Sequence, residues 1–337
     1  MTRYSKFFVR FNWLALVLIF LVVIAGSFVR ITGSGMGCPD WPKCFDQWIP
    51  PTHHSQVPPN YKEKYVEQRQ QKVEKFCRYI SFIGFKKVAS DLLNDPNLIK
   101  EEDFNVRKTW TEYINRLFGF LAGNSVLIIF IWIILLYNSN KSLLTLSFMN
   151  LIFMGFQAWF GSIVVASNLV PWTISVHLFF ALLIIFIQLY IIKLIAPSQS
   201  KSLTFKGIAF GLIWLCFIIT VVQMFLGTQV RESIDQLSRL GIGRSQWTEY
   251  LALPFFIHRS FSWLVLVLLS YITYYNEKYQ KYPIIRWLFA ILLIELASGV
   301  LLAHFNMPGL VQTAHLVFAS ILFANLSLLV FRAKRYS

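Results

Sequence analysis

A glycine, an asparagine and a histidine keep the same spacing in two apolar segments of the chain. The first copy has Gly161, Asn168 and His177. The second copy lies 138 residues later and has Gly299, Asn306 and His315. Neutral imidazole nitrogens bind transition metals, and ionisable residues inside membrane segments are functional by default. The repeat therefore predicts two equivalent ligand-binding positions.

A third histidine, His258, lies in another apolar segment at the same depth. Each of the three follows a proline by four to seven residues. At about 1.5 Å per residue they lie roughly 6–11 Å below the helix ends. His258 and His315 are predicted to face each other, as a bis-imidazole haem requires. Packing is the alternative for any single membrane histidine, but the matched depth favours ligation. His53, His54 and His304 are weaker candidates, near the ends of segments or in a loop.

The composition indicates the elements that must position these residues. Of 337 residues, 56% are hydrophobic, 17% aromatic and only 14% charged, which is typical of polytopic membrane proteins. A spanning helix needs about 20 apolar residues, and eight segments qualify. They are 12–30, 113–137, 143–167, 171–195, 207–230, 251–275, 282–304 and 308–331. The predicted fold class is all-α integral membrane.

The net charge of +15 describes topology, not nucleic-acid binding. The basic residues cluster at alternate ends of the eight segments, which places both termini in the cytoplasm by the positive-inside rule. These are Arg3, Lys6, Arg10, Lys141, Lys193, Lys201, Lys206, Lys278, Lys281, Arg286, Arg332, Lys334 and Arg335. The predicted location is a bacterial inner membrane, with the lipid bilayer as the partner of the apolar faces.

The repeat extends along the whole chain. Residues 26–30 match 227–231, residues 114–118 match 257–261, and Gln157 aligns with Glu295. We therefore predict two tandem four-helix bundles, related by a pseudo-twofold axis along the membrane normal. The first half, 1–200, contains an external loop at 31–111, in which 61–109 forms an inserted helical cap. The second half is 201–337. A second external loop is predicted at 231–250.

Arginines at the outer rim are candidates for binding haem propionates, because a guanidinium fork suits a carboxylate. Snorkelling to lipid headgroups is the alternative, and repetition in both halves favours the first interpretation. The four candidates are Arg30, Arg116, Arg231 and Arg259.

The cysteines allow one short-range disulfide. Cys38 and Cys44 flank a tight turn, and an oxidising compartment would join them. Cys77 leaves an odd external thiol, and Cys216 is predicted to be an apolar filler inside a span.

These residues resemble the heme A synthase family. The run from Gly33 to Cys44 carries the most specific similarity: Gly-Ser-Gly-Met-Gly-Cys-Pro-Asp-Trp-Pro-Lys-Cys. It is joined by three further motifs, Glu112-Tyr-Ile-Asn-Arg116, Asn168-Leu-Val-Pro-Trp172 and Ile257-His258-Arg259, and by the segment around His315. The resemblance covers all eight spans and excludes 61–109.

The resemblance implies an oxidoreductase that hydroxylates a methyl group of heme O towards the formyl group of heme A. The second half would hold a resident haem b through His258 and His315, with Arg231 and Arg259 nearby. The first half would receive heme O, with His177 as an iron ligand and Arg30 and Arg116 at the rim. The electron donor and oligomeric state are left open; heme O synthase and cytochrome oxidase assembly factors are the expected partners.

Two residues set the first half apart. Family members often have histidine where this chain has Asn115, and an amide is a poor iron ligand. Glu112, three residues earlier, is the predicted catalytic acid–base; the second half has Phe255 there. A helix-terminal acid favoured by the macrodipole is the alternative for Glu112. For the whole chain, the alternatives are a di-haem electron carrier and a haem chaperone.

Overall fold

The computed structural model describes residues 4–196 and 202–335. Arg3, Lys201 and the predicted boundary between the halves lie outside the described residues. The α-helices are α1 (Lys6–Ile31), α2 (Tyr61–Phe82), α3 (Lys86–Leu93), α4 (Val106–Leu136), α5 (Lys141–Ala166), α6 (Pro171–Ile195), α7 (Gly207–Arg239), α8 (Trp247–Tyr250), α9 (Leu253–Tyr279), α10 (Pro283–His304) and α11 (Gly309–Arg332). Short 3₁₀ turns occur at His54–Gln56, Pro96–Ile99 and Arg244–Gln246.

Eight of these helices are long and apolar enough to cross a membrane: α1, α4, α5, α6, α7, α9, α10 and α11. Local sequence fixes where several begin. Asn140 accepts the Leu143 N–H at 3.1 Å and so caps α5. Pro171 and Pro283 occupy the first turns of α6 and α10, where a missing N–H costs nothing. The prediction of an all-helical, multi-pass membrane protein is confirmed.

The helix contacts repeat between the halves. In the first half α1 packs on α4, α4 on α5, α5 on α6 and α6 on α1. In the second half α7, α9, α10 and α11 make the same closed circuit. Between the halves, α1 contacts α11, α6 contacts α7 and α6 contacts α11. Exchanging the halves leaves this pattern unchanged, which is consistent with a twofold relation; the two tandem bundles and the axis along the membrane normal stay predictions.

Helices α4 and α7 extend furthest beyond their predicted bounds. α1 also begins six residues before its predicted start at 12. α4 begins at Val106, seven residues before the predicted start at 113, so the loop predicted at 31–111 ends at 105. α7 continues to Arg239, so the prediction that 231–250 is a loop is wrong for its first half. Hydropathy gives no signal for these turns because they are polar, although the i,i+4 pair of Arg231 and Asp235 is typical of a helix.

The cap packs on the C-terminal end of α5 and the N-terminal end of α6. Phe76 of α2 lies 6.2 Å from Phe160 and 6.5 Å from Trp172, measured between ring centroids. Inside the cap, a buried ion pair joins Arg69 and Glu101, and both side chains are only 3% exposed. Burial lowers the pKa of Arg69 to about 10. The predicted helical cap is present, as α2, α3 and the turn at 96–99.

A two-stranded parallel sheet closes the opposite end of the molecule. β1 (Leu203–Phe205), after α6, pairs with β2 (Ala333–Arg335), after α11. Leu203 and Phe205 are buried in the core of the second half. β1 and the end of α11 therefore lie at the same end of the molecule.

Candidate functional site

A glycine faces each of the four matched ligand positions. Membrane helices approach closely where small residues meet, because lipid supplies little hydrophobic drive. A Cβ built on Gly227 would lie 3.2 Å from Cε1 of His258. The same holds at 3.5 Å for Gly299 and His315, at 3.2 Å for Gly161 and His177, and at 3.7 Å for Gly26 and Oδ1 of Asn115. Each pair joins neighbouring helices of one bundle, so the glycines make room for the three imidazole rings and the Asn115 amide.

The second half holds both imidazoles by their Nδ1 atoms. His258 Nδ1 lies 3.2 Å from the main-chain carbonyl oxygen of Gln223. The side-chain amide of Gln223 donates to the main-chain carbonyl of His258 at 2.7 Å. His315 Nδ1 lies 2.8 Å from Ser298 Oγ and 3.1 Å from Glu295 Oε1. A histidine that ligates metal usually uses its other ring nitrogen in this way. Nε2 of each ring is therefore left for a ligand.

The two rings have the separation that one haem iron needs. Their centroids are 6.4 Å apart, at an interplanar angle of 82°. Metal–imidazole bonds are about 2 Å, so two imidazoles on opposite sides of one metal have ring centres about 6 Å apart. His258 and His315 therefore fit bis-histidine haem ligation.

The first half differs from the second in the residues that surround its ligand positions. His177 stacks on Phe160, with centroids 6.4 Å apart, where the repeat has Ser298. Its buried Nδ1 has no hydrogen-bond partner among the described residues, and neither has Oδ1 of Asn115. Gln157 donates to the His177 carbonyl at 2.9 Å, but in the Asn115 pair Val22 replaces the glutamine. The first-half ligand position therefore lacks the Nδ1 contacts that hold His258 and His315 in the second half.

Glu112 is buried beside the disulfide loop. It is 4% exposed, and its Oε1 accepts a hydrogen bond from Arg116 Nε at 2.9 Å. Arg116 Nη2 donates to the Cys38 carbonyl at 2.5 Å, and Nη1 donates to that of Asp40. Cys38 and Cys44 form a disulfide, as predicted. The loop, the arginine and the carboxylate are thus one connected unit.

The disulfide loop is also tied to the cap. Asp40 accepts the backbone N–H of Phe45 at 2.6 Å and that of Asp46 at 2.9 Å. Lys64 of α2 donates to Asp46 at 2.5 Å, and this hydrogen bond holds the pKa of the Asp46 carboxyl below its usual range. Tyr65 donates to the same carboxylate at 3.1 Å.

Gly37 is where the disulfide loop touches α4. A Cβ there would lie 2.4 Å from the Lys108 oxygen and 2.8 Å from the Thr109 nitrogen, so backbone would have to shift. We expect Gly37→Ala to cost about 1–3 kcal/mol, the range for overpacking, and to lower the midpoint of thermal unfolding. Gly119→Ala on the same helix is the control, since nothing lies within 4 Å of its Cβ position. Equal midpoints for the two variants would contradict this packing.

Rim arginines from both halves share one carboxylate. Arg30 Nε donates to Oδ2 of Asp235 at 2.9 Å, and Arg231 Nη2 donates to Oδ1 at 2.6 Å. Arg231 also bonds Gln312. Arg259 is exposed, and its side chain makes no hydrogen bond or ion pair with the residues that the structure describes. Propionate binding by these arginines and by Arg116 stays a prediction.

The remaining histidines and cysteines are elsewhere. His53, His54 and His304 are exposed, away from the glycine-paired positions. Cys77 and Cys216 are buried free thiols. Sequence reasoning missed Gln223, Ser298 and Asp235. A polar residue four positions before three of the four glycines was the available signal for Gln223.

Comparison with known protein families shows which family the chain belongs to. The family model described as cytochrome oxidase assembly protein (COX15-CtaA) matches residues 9–87 and 97–327. The chain belongs to this family. Because the match includes 61–87, the prediction that all of 61–109 is an insertion was too broad; within that segment, 88–96 fall outside the match.

Named relatives of this family member are heme A synthases. That of Geobacillus kaustophilus is 23% identical, across 99% of this chain and 93% of the relative. That of Flavobacterium psychrophilum is 24% identical, across 91% and 92%. That of Shewanella oneidensis is 24% identical, and the match spans 72% of this chain and 64% of the relative. The resemblance predicted from the motifs is confirmed.

Proposed function

We propose that the protein oxidises a methyl group of heme O towards the formyl group of heme A; its relatives carry the name heme A synthase, which supports this activity. The observation that carries the proposal is the inequality of two matched sites. One has two histidines fixed through Nδ1. The other has a single histidine, an asparagine and a buried carboxylate. A resident cofactor suits the first site and an exchangeable substrate suits the second.

In the second half, His258 and His315 would hold haem b. Bound there, haem b would supply one-electron transfer. Ser298 and Glu295 would keep His315 oriented by their contacts with Nδ1, and Gln223 would do the same for His258. Arg231 and the exposed Arg259 are the candidates for the propionates on this side, by their rim positions.

In the first half, heme O would lie between His177 and Asn115. With dioxygen as oxidant and an external electron donor, hydroxylation of the methyl group consumes protons and electrons (R–CH3 + O2 + 2 H+ + 2 e− → R–CH2OH + H2O), so the site needs a group that transfers protons. Glu112 has that chemistry, since it is buried three residues from Asn115, and Arg116 would hold it in place. Arg30 would approach the propionates only by sharing or leaving Asp235.

Haem extraction tests the proposal. The full chain is expressed in a host that supplies heme O, purified from membranes, and its haems are separated by chromatography. Heme A or a hydroxylated heme O beside haem b is the expected result. Haem b alone, at two per chain, would favour an electron carrier; unmodified heme O alone would favour a chaperone. Either would reject the proposal.

Asn115→His tests the substrate side directly. Gly26 faces this position as Gly227 faces His258, so the bundle has room for an imidazole. A second axial ligand is expected to raise retained heme O by about tenfold or more, because outer-shell partners alone change metal affinity about 10–100-fold. The readouts are the ratio of heme O to haem b and a low-spin absorption spectrum. Asn115→His with Gly26→Ala, which refills the space, should lose the gain; no gain in the single variant would reject Asn115 as a ligand position.

The orientation and partners follow from the same proposal. Lys6, Arg10 and Arg332 lie at the helix ends near the β1–β2 pair, which supports cytoplasmic termini and a location in a bacterial inner membrane. Halves at 1–200 and 201–337, an external electron donor, and contact with heme O synthase or cytochrome oxidase assembly factors remain part of the proposal.

A further inference from the structure

The turn that leads into α6 has an unfavourable backbone. Asn168 and Leu169 have φ values of 53° and 59°, in the left-handed region that non-glycine residues rarely adopt. The repeat has the same turn before α11, where Asn306 and Met307 have φ values of 55° and 49°. Such conformations persist only where surrounding contacts hold them.

The second half holds its turn with its own residue. Gln312, on the first turn of α11, donates to the Met307 carbonyl at 2.7 Å. The matched residue in the first half is Ile174, whose side chain has no hydrogen-bond donor. The turn before α6 therefore needs a donor from elsewhere.

Arg239 supplies that donor from the other half of the molecule. Its Nη2 lies 2.7 Å from the Asn168 oxygen and 2.8 Å from the Leu169 oxygen. Its Nη1 lies 3.4 Å from Asp95 in the cap. Arg239 is the last residue of α7, in the extension that the hydropathy pattern did not predict.

The cap meets the same turn. Asn168 Nδ2 donates to the Asn97 carbonyl at 2.6 Å. A cleft of about 440 Å³, lined by residues that include Asn97, Asn168, Lys100 and Arg239, lies beside the turn. Without the guanidinium, the turn has space into which it can move.

We propose that Arg239 is a positioning residue for the substrate side: it fixes the start of α6 and so the placement of His177, six residues after Pro171. The role rests on the proposed function, because it assumes that His177 binds heme O. In this proposal the first-half site depends on Arg239 of the second half. The second-half site depends on Gln312, which lies on the same helix as His315.

The test uses the full chain with Arg239→Ala. The expected result is about a tenfold fall in heme O plus heme A relative to haem b, the effect of losing charge-assisted hydrogen bonds. Hydrogen exchange of residues 165–180 should rise, while haem b per chain stays constant and reports an intact fold. Arg244→Ala is the matched control, because this arginine also crosses between halves, at 3.4 Å from the Ile31 oxygen, but away from the turn.

Rescue separates positioning from general stability. Ile174→Gln places in α6 the donor that Gln312 provides in α11, so the double variant should recover most of the lost substrate haem. Ile174→Gln alone is measured beside it, because Ile174 packs against the cap core. Unchanged substrate haem in Arg239→Ala, or failed rescue with unchanged hydrogen exchange, would overturn the role of Arg239. Absence of heme O and heme A from the wild-type chain would instead overturn the proposed function.

Discussion

Replacing His315 with alanine is expected to remove haem b and abolish heme A formation, while heme O remains bound. Ser298 and Glu295 contact Nδ1 of the His315 ring, and the ring centroid lies 6.4 Å from that of His258. His258 is needed as the second ligand, so it cannot replace the imidazole that the alanine variant lacks. Loss of outer-shell partners alone lowers metal affinity about 10–100-fold, so loss of an axial ligand should exceed about 100-fold. The measurement is haem b per chain after purification.

The reciprocal variant makes this result specific. His177→Ala should retain haem b and lose heme O, because the two histidines occupy matched positions in different bundles. His304→Ala is the control, since this exposed histidine ends α10 without facing a glycine. If His315→Ala kept its haem b, or if both histidines lost the same haem, the assignment of one haem to each half would be wrong.

Glu112→Gln is expected to lower heme A formation by about 10²–10⁴-fold, the usual contribution of a general acid–base. Glutamine keeps an oxygen that can accept the hydrogen bond from Arg116, so the disulfide loop should stay in place. Heme O should therefore accumulate on the protein at a normal level of haem b. The measurement is the amount of heme A and hydroxylated heme O per haem b.

A second buried ion pair provides the control for Glu112. Glu101→Gln removes the charge that pairs with Arg69 inside the cap. Because Glu101 also lines the cleft beside the turn at Asn168, retained heme O is measured together with heme A. Breaking a buried ion pair typically costs about 3–5 kcal/mol, so a stability penalty of similar size is expected in both variants. Heme A formed per bound heme O should stay normal in Glu101→Gln. Equal loss in the two variants would reduce Glu112 to a structural role.

The membrane fold was predictable because its signal is local. Each span is a run of apolar residues, and the repeated glycines and histidines set the register between the halves. The ligand positions were predictable for the same reason. Internal duplication supplied a second copy of each position for comparison, which is why Asn115 and Glu112 stood out.

The missing parts depend on contacts between distant segments. The extension of α7 is polar and outside the membrane, so hydropathy ended it near residue 230. Its contacts with Arg30 and with the turn at Asn168 join residues more than 70 positions apart, and no local pattern encodes them. The sequence indicated which residues were polar at the rim, but not that Asp235 and Arg239 would link the halves.

The β1–β2 pair constrains the order in which the molecule can be made. β1 lies at Leu203–Phe205, yet its partner follows only after α11, at Ala333–Arg335. The first bundle and β1 leave the ribosome before the partner strand exists, and the pair forms only after all four helices of the second bundle have been synthesised. During biogenesis, β1 must therefore remain without this partner strand until the second bundle has been synthesised.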